Sequence, residues 1–303
     1  MNACTPYKEY MSLIRFQRFA FWGIPLLVVL VVGSWANSAS AQAGPCPNGQ
    51  QIAFPGAEGF GRCSQGGRGG RIIEVTNLND SGPGSFRQCA ETESGPRTCV
   101  FKVSGHIPVI KGGASGQNYT PSIDILNPYL TIAGHTAPGD GVSITGFIWI
   151  KTNHVIIRHL RSRPGWKIPN NWNFGIGGED IILDHVSATW STDEGIWVGG
   201  RKNITIQWSI ISEGISDSSQ GAERRQAKGV NLGNAVENVT MHHNYMAMNG
   251  ARNPIIGVSP TGSALQIYDI VNNVGYYWND GGGADQWTGN GPSHANWVGN
   301  LYV

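Results

Sequence analysis

The sequence predicts an all-β fold, a right-handed, single-stranded parallel β-helix, and three observations carry that expectation. A short pattern of β-formers recurs at a spacing of about 25 residues, inside the range that signals stacked repeats. Charged residues make up only 14% of the chain, while 43 of its 303 residues are glycine, a composition rich in turns and poor in solvated helix. Helical heptads and low-complexity linkers are absent from the pattern.

The repeat opens on a polar residue and continues through two to four β-formers. It reads Tyr129-Leu-Thr-Ile132, His154-Val-Ile-Ile157, Asp180-Ile-Ile-Leu183, Asn203-Ile-Thr-Ile206, Asn238-Val-Thr-Met241 and Ala264-Leu-Gln-Ile267. With Leu130, Val155, Ile181, Ile204, Val239 and Leu265 as equivalents, the intervals are about 25, 26, 23, 35 and 26 residues. Three short strands joined by turns fill a coil of that length, and the inward Val, Ile and Leu then form columns between coils. Asparagine belongs at the corners, because its amide can bond both its own backbone and the next coil. A β-sandwich, the rival, has strands every 8–12 residues and gives no reason for a period near 25. The long interval between Ile204 and Val239 marks an insertion carrying Glu223, Arg224, Arg225 and Lys228, and such insertions tend to sit on the binding face. The final coil runs to Val303 without a polar cap, so the domain is expected to continue beyond it or to be finished by a partner.

The N-terminus predicts export. Lys8, Arg15 and Arg18 precede an apolar run over 19–32, and Ala41-Gln-Ala43 offers a small-residue cleavage site. The run is short for a membrane span and is interrupted by Gly23 and Pro25. Residues 1–43 are therefore read as a signal peptide and 44–303 as the mature domain, secreted and without stable membrane association. Cys46, Cys63, Cys89 and Cys99 remain, an even count that fits two disulfides in an oxidising compartment. Four cysteines allow three pairings, of which the nearest-neighbour set, Cys46–Cys63 and Cys89–Cys99, is the expected one. Net charge is +1, so no basic stripe argues for nucleic acid. The domain is expected to act as a monomer.

Several segments then occur in series. They are Ala53-Phe-Pro-Gly-Ala-Glu-Gly-Phe-Gly61, Gly66-Gly-Arg-Gly-Gly70, the stretch from Val75 to Arg87, and Thr131-Ile-Ala-Gly-His-Thr-Ala-Pro-Gly-Asp140. Further on come Ile157-Arg-His-Leu-Arg-Ser-Arg-Pro-Gly165, Leu183-Asp-His-Val-Ser-Ala-Thr-Trp190 with Asp193-Glu194, His242-His-Asn244 and Arg252-Asn-Pro254. Their order and spacing resemble polysaccharide lyase family one, the pectate lyases, from about Ala53 onward. The resemblance implies a pectin lyase-like solenoid and calcium-dependent β-elimination of (1→4)-linked galacturonan, an acidic plant-wall polysaccharide.

That chemistry needs a base for the C5 proton, cations for the C6 carboxylate and oxygen ligands for a hard ion. By resemblance Arg252 is the base, or an enolate-stabilising cation, since arginine holds its proton so tightly. A surface arginine stapling the turn before Pro254 is the bland alternative. Lys228 corresponds to a substrate-carboxylate lysine, with a solvated loop lysine as its alternative. A second arginine is expected five residues after the first, but Gly257 stands there; Arg224 or Arg225 could supply that charge. Asp193 and Glu194 lie where two calcium ligands are expected. Asn171 and Asn173 match an upstream aspartate, and would bring a carbonyl oxygen without charge; Asp217 is a further candidate.

Asp184-His185 reads as a structural hydrogen-bond pair. His242 and His243 are expected to face opposite ways along a strand. Trp190, Trp197 and Trp208 could line a sugar groove or simply pack. Three rival functions stay open: a β-helix glycoside hydrolase, for which Asp193-Glu194 would be the acidic pair; a pectin lyase acting without calcium; and a non-catalytic β-helix that binds wall polysaccharide.

Overall fold

The computed structural model describes residues 46–113, 121–165, 171–199, 202–215, 227–233, 236–257, 264–278, 285–287 and 291–303. The expected signal segment and Arg224, Arg225, Asp217 and Glu223 lie outside them. Among the described residues three parallel sheets of nine, eight and seven strands run the length of the domain. Sheet 1 begins with Arg71–Val75, sheet 2 with Gly105–Pro108 and sheet 3 with Ser122–Ile125. One coil comprises Ile181–Asp184 in sheet 1, Ser187–Thr189 in sheet 2 and Glu194–Val198 in sheet 3. Each strand pairs in parallel with its counterpart one coil before and after. This is the expected parallel β-helix.

Columns of aliphatic side chains fill the interior. Ile132, Ile157, Leu183, Ile206, Met241 and Ile270 are in register on sheet 1 and fully buried. Ile123, Ile148, Phe174, Ile196 and Val230 face them from sheet 3. Burial of each such side chain stabilises by roughly 1.5–3 kcal/mol before entropy is charged against it.

The repeat equivalences hold from Leu130 through Val155, Ile181 and Ile204 to Val239. The last does not: Val239 pairs with Tyr268, and Leu265 is exposed. The cause is visible at the corner. Tyr129, His154, Asp180, Asn203 and Asn238 each stand immediately before these equivalent residues with φ between 56° and 61°, the left-handed conformation that turns the chain into sheet 1. Asn and Asp tolerate that region best, which is why the repeat opens on a polar residue. Ala264 lacks this mark, so the periodicity alone misplaced the register. Tyr268 is fully buried, its hydroxyl donating to Gly257 O at 2.9 Å.

Asparagines stack at the opposite corner, as expected. Asn244 Nδ2 donates to Ile206 O and to Asn273 Oδ1, both at 2.9 Å, and Asn273 Nδ2 donates to Met241 O and Asn300 Oδ1, both at 2.9 Å. The glycine-rich N-terminal segment crosses the outside of sheet 1. Gly61 N and Gly67 N donate to Thr205 Oγ1 and Thr131 Oγ1 at 2.8 and 2.9 Å. A Cβ on Gly67 would stand 1.9 Å from Arg97 O, so only glycine permits this approach. Cys46–Cys63 and Cys89–Cys99 are both bonded, with Cα separations of 5.6 and 5.9 Å.

Candidate active site

Four charged side chains that the sequence singled out converge where sheet 2 turns into sheet 3. Glu194 heads its strand in register with Lys228 on the next coil. One coil further on, an isolated bridge between Lys228 and Ala251 delivers Arg252 to the same corner. Arg252 itself has φ 60°, followed by a cis Asn253-Pro254 bond. Its Nη1 donates to Glu194 Oε1. Lys228 Nζ lies 3.4 Å from Asp193 Oδ1.

Asp193 and Glu194 point the same way, contrary to the alternation expected of adjacent strand residues. Asp193 belongs to the turn, not to the pleat, and only Glu194 obeys the strand geometry. Trp172 Nε1 donates to both carboxylates, at 2.8 Å to Glu194 Oε2 and 3.3 Å to Asp193 Oδ2. Asn231 Nδ2 adds a bond to Glu194 Oε1 at 3.1 Å. Burial, with Asp193 beside it, pushes the Glu194 carboxyl above the usual carboxylate range, and the Arg252 charge opposes that rise. Glu194 is nearly closed off at 4% side-chain exposure, whereas Lys228, Arg252 and Asp193 keep 16–19% open to a ligand.

Trp172 and Asn231 were not singled out from the sequence. The signal for Trp172 is Gly175. That residue leaves a gap in the outward column of sheet 3 between Trp149 and Trp197. The Trp149 ring leans over it, and Trp149, Trp172 and Trp197 form a mutual cluster, Trp172 lying 5.0 Å from Trp149 and 5.2 Å from Trp197, which are themselves 5.4 Å apart. A Cβ on Gly175 would meet Trp149 at 1.9 Å. Trp197 thus serves as packing for the ring that tethers both acids.

Asn171 and Asn173 sit beside this cluster, but beneath it. Asn171 O accepts from Thr192 N and Asp193 N, each at 3.1 Å, which fixes the turn that carries Asp193. Asn173 Nδ2 donates to Ser162 O, Ser162 Oγ and Thr189 O, and the residue is fully buried. Asp193 and Glu194 are hard oxygen donors that a divalent cation of the calcium type could use. Six to eight oxygens are needed, so two carboxylates form part of a shell, and a ligand's own carboxylates would have to join them.

Other motif residues are structural. Asp184 is buried and accepts from Arg158 Nε and Gln207 Nε2, both at 2.7 Å, and from His185 Nδ1 at 2.9 Å. Burial alone would raise its pKa, but these bonds outweigh it and hold the carboxyl below its ordinary value. His242 and His243 do not alternate as expected. His243 takes φ 54° at the corner, which brings its Nδ1 within 2.8 Å of His242 Nδ1. Burial and the neighbouring His243 push His242 down to about 4. Trp208 stacks on His243 at 4.1 Å, on the sheet 1 side of the coil and not in the acid–cation cluster.

The parallel β-helix is a fold that solved pectate lyases share. A Bacillus sp. pectate lyase in complex with trigalacturonate superposes with a TM-score of 0.52 at 15% identity, covering 81% of this chain and 86% of that one. A mutant Bacillus subtilis pectate lyase gives 0.50 at 15% identity, over 85% and 88%. These likenesses establish the fold. Sequence relatives are more specific. The chain is 37% identical over 258 residues to the probable pectate lyase C of Aspergillus terreus, covering 83% of this chain and 54% of that protein. It is 35% identical over 285 residues to the probable pectate lyase C of Aspergillus fumigatus, over 92% and 58%. The chain is thus homologous over most of its length to proteins named probable pectate lyase C, and spans about half the length of those relatives. No family model matches the sequence.

Proposed function

We propose that this domain is an exported pectate lyase that cleaves (1→4)-linked galacturonan by calcium-dependent β-elimination, giving 4,5-unsaturated oligogalacturonates. The observation that carries the reading is the meeting of Arg252, Lys228, Asp193 and Glu194 at one half-open corner. They come from three successive coils, and each was named for this chemistry by its motif. The named relatives and the two disulfides, which suit an oxidising compartment, support it.

In this reading Lys228 binds a substrate carboxylate as a point charge. Arg252 faces C5 and removes its proton. The C5–H electrons form the C4–C5 double bond, the C4–O bond breaks, and the leaving oxygen takes a proton from water. Because arginine gives up its proton only at high pH, turnover should climb into the alkaline range. Calcium, held by Asp193 and Glu194 together with substrate oxygens, would supply charge neutralisation at the C6 carboxylate and so acidify the C5 proton. Trp172 and Asn231 keep the two protein carboxylates in place.

One observation favours a second reading, a non-catalytic polysaccharide binder: Gly257 replaces the arginine expected by resemblance, and its carbonyl is tied to Tyr268. Incubation with polygalacturonate decides between them. An ultraviolet-absorbing unsaturated product marks a lyase, new reducing ends without that absorbance mark a hydrolase, and an intact polymer marks a binder.

A further inference from the structure

A separate cavity of about 870 Å³ opens on the outer face of sheet 2. Arg161 and Arg163 flank the inward, fully buried Ser162 and so both project outward into it. Ser143 and His106 continue the row on the two preceding coils, in register with Arg161. Trp190 closes one side, with Glu213 Oε2 accepting from its Nε1 at 2.8 Å while 46% of the residue stays exposed.

The arginines are what call for a ligand. Arg87, Arg158 and Arg252 each contact a carboxylate side chain. Among the described residues Arg161 and Arg163 contact none. Arg161 donates to the carbonyls of Asp140 and Val142, and Arg163 to the carbonyls of Ser162 and Ser187 and to Ser187 Oγ. Two guanidiniums share one concavity without contacting a carboxylate among the described residues, Arg163 lying 5.9 Å from the Trp190 ring centroid; burial, then the Arg161 charge, lowers the Arg163 pKa, and the Glu213 charge opposes that fall. Among the described residues, the one carboxylate lining this cavity is that of exposed Asp140. Guanidinium forks recognise carboxylates, and an exposed indole offers a flat apolar face to a sugar ring.

We propose that this cavity is a second saccharide site, distinct from the Asp193–Glu194–Lys228–Arg252 cluster, taking a uronate-bearing sugar with its ring against Trp190 and its carboxylate at Arg161 and Arg163. The choice of a uronate rests on the galacturonan reading above. Trp190 precedes Asp193 in the same turn, so cavity and cluster lie on two sides of one corner. A polymer held in the cavity is thereby kept beside the cluster.

The test is a calorimetric titration with trigalacturonate, in excess chelator, of the chain carrying Arg252→Lys and Lys228→Gln, which limits consumption of the ligand and removes the cluster's carboxylate-binding lysine and any calcium bridge. Three arms accompany it: the same chain with Arg161→Gln, the same chain with Asp140→Asn, and trigalacturonate with its carboxylates methyl-esterified. Melting curves accompany each protein. The expected result is binding that weakens about tenfold or more with Arg161→Gln and tightens two- to threefold with Asp140→Asn, and that the ester lacks. The opposite signs separate a binding effect from a general loss of fold. Affinity indifferent to both substitutions, or equal for the ester, overturns the proposal. Should the parent chain bind in this Arg161-dependent way while polygalacturonate stays uncut by the unmodified protein, the lyase reading fails and the second site stands.

Discussion

Arg252 and Glu194 form an ion pair across sheet 3, although 58 positions separate them and the Lys228 coil lies between. The pairing links both groups: Arg252 counters the burial that lifts the Glu194 carboxyl, and Glu194 accepts from the Arg252 guanidinium.

Arg252→Lys should keep the fold and substrate binding but lose most turnover. Lysine retains one charge but neither the planar fork nor the reach. We expect kcat to fall by about 100-fold or more with KM little changed, because the lost contact is made in the transition state. Kinetics on polygalacturonate, beside melting curves, check it. Turnover within a few-fold of the parent would shift the role of base to Lys228.

Calcium removal should abolish cleavage, and added calcium should restore it. Two carboxylates cannot complete a calcium shell. The ion should therefore bind the protein weakly alone and more tightly once substrate carboxylates join it. Calcium titrations with and without trigalacturonate measure that difference; full activity in excess chelator would remove calcium from the mechanism.

Trp172→Phe should preserve the ring cluster with Trp149 and Trp197 while deleting the donor to Asp193 and Glu194. A loss of about 1–2 kcal/mol in stability is expected from the unmade bonds. The larger effect should be on the calcium concentration giving half-maximal activity, which should rise as the carboxylates lose their tether. An unchanged calcium dependence would reduce Trp172 to packing.

Asp184→Asn addresses the acid range. The folded-state pKa of Asp184 is depressed, so its contribution to stability is present above the ordinary value of 3.8 and is lost as pH falls through the folded value. At neutral pH the variant should be less stable by about 3 kcal/mol or more, since Arg158 loses a buried partner. Thermal melts should show that gap beginning to narrow below pH 3.8, where the unfolded chain's carboxylate takes up a proton, and closing as pH falls through the depressed folded value. A gap constant with pH would mean that the charge of Asp184 is not what stabilises.

Much of this molecule is written in local pattern. A β-former two residues apart from the next, repeated near every 25 positions, can bury one face only by stacking on copies of itself, so the coil and its columns follow from Leu130 to Val239 without tertiary information. A polar residue before each strand announces a left-handed turn, and asparagine at the far corner announces a ladder. Where that lead residue is missing, at Ala264, the sequence misplaced the register and the buried Tyr268 was overlooked. The motif residues Arg252, Lys228, Asp193 and Glu194 were legible as chemistry by their resemblance to a known family. What the tertiary structure alone decided is how they face one another. Asp193 and Glu194 share a direction because a turn ends between them, and Asn173 is drawn under the corner by main-chain acceptors on neighbouring strands. Trp172 reaches both acids from an aromatic cluster with Trp149 and Trp197, for which Gly175, three residues further on, leaves room. Such relations depend on which coil lies above which, and the stacking that brings residue 194 to residue 252 is a long-range packing event that no local window contains.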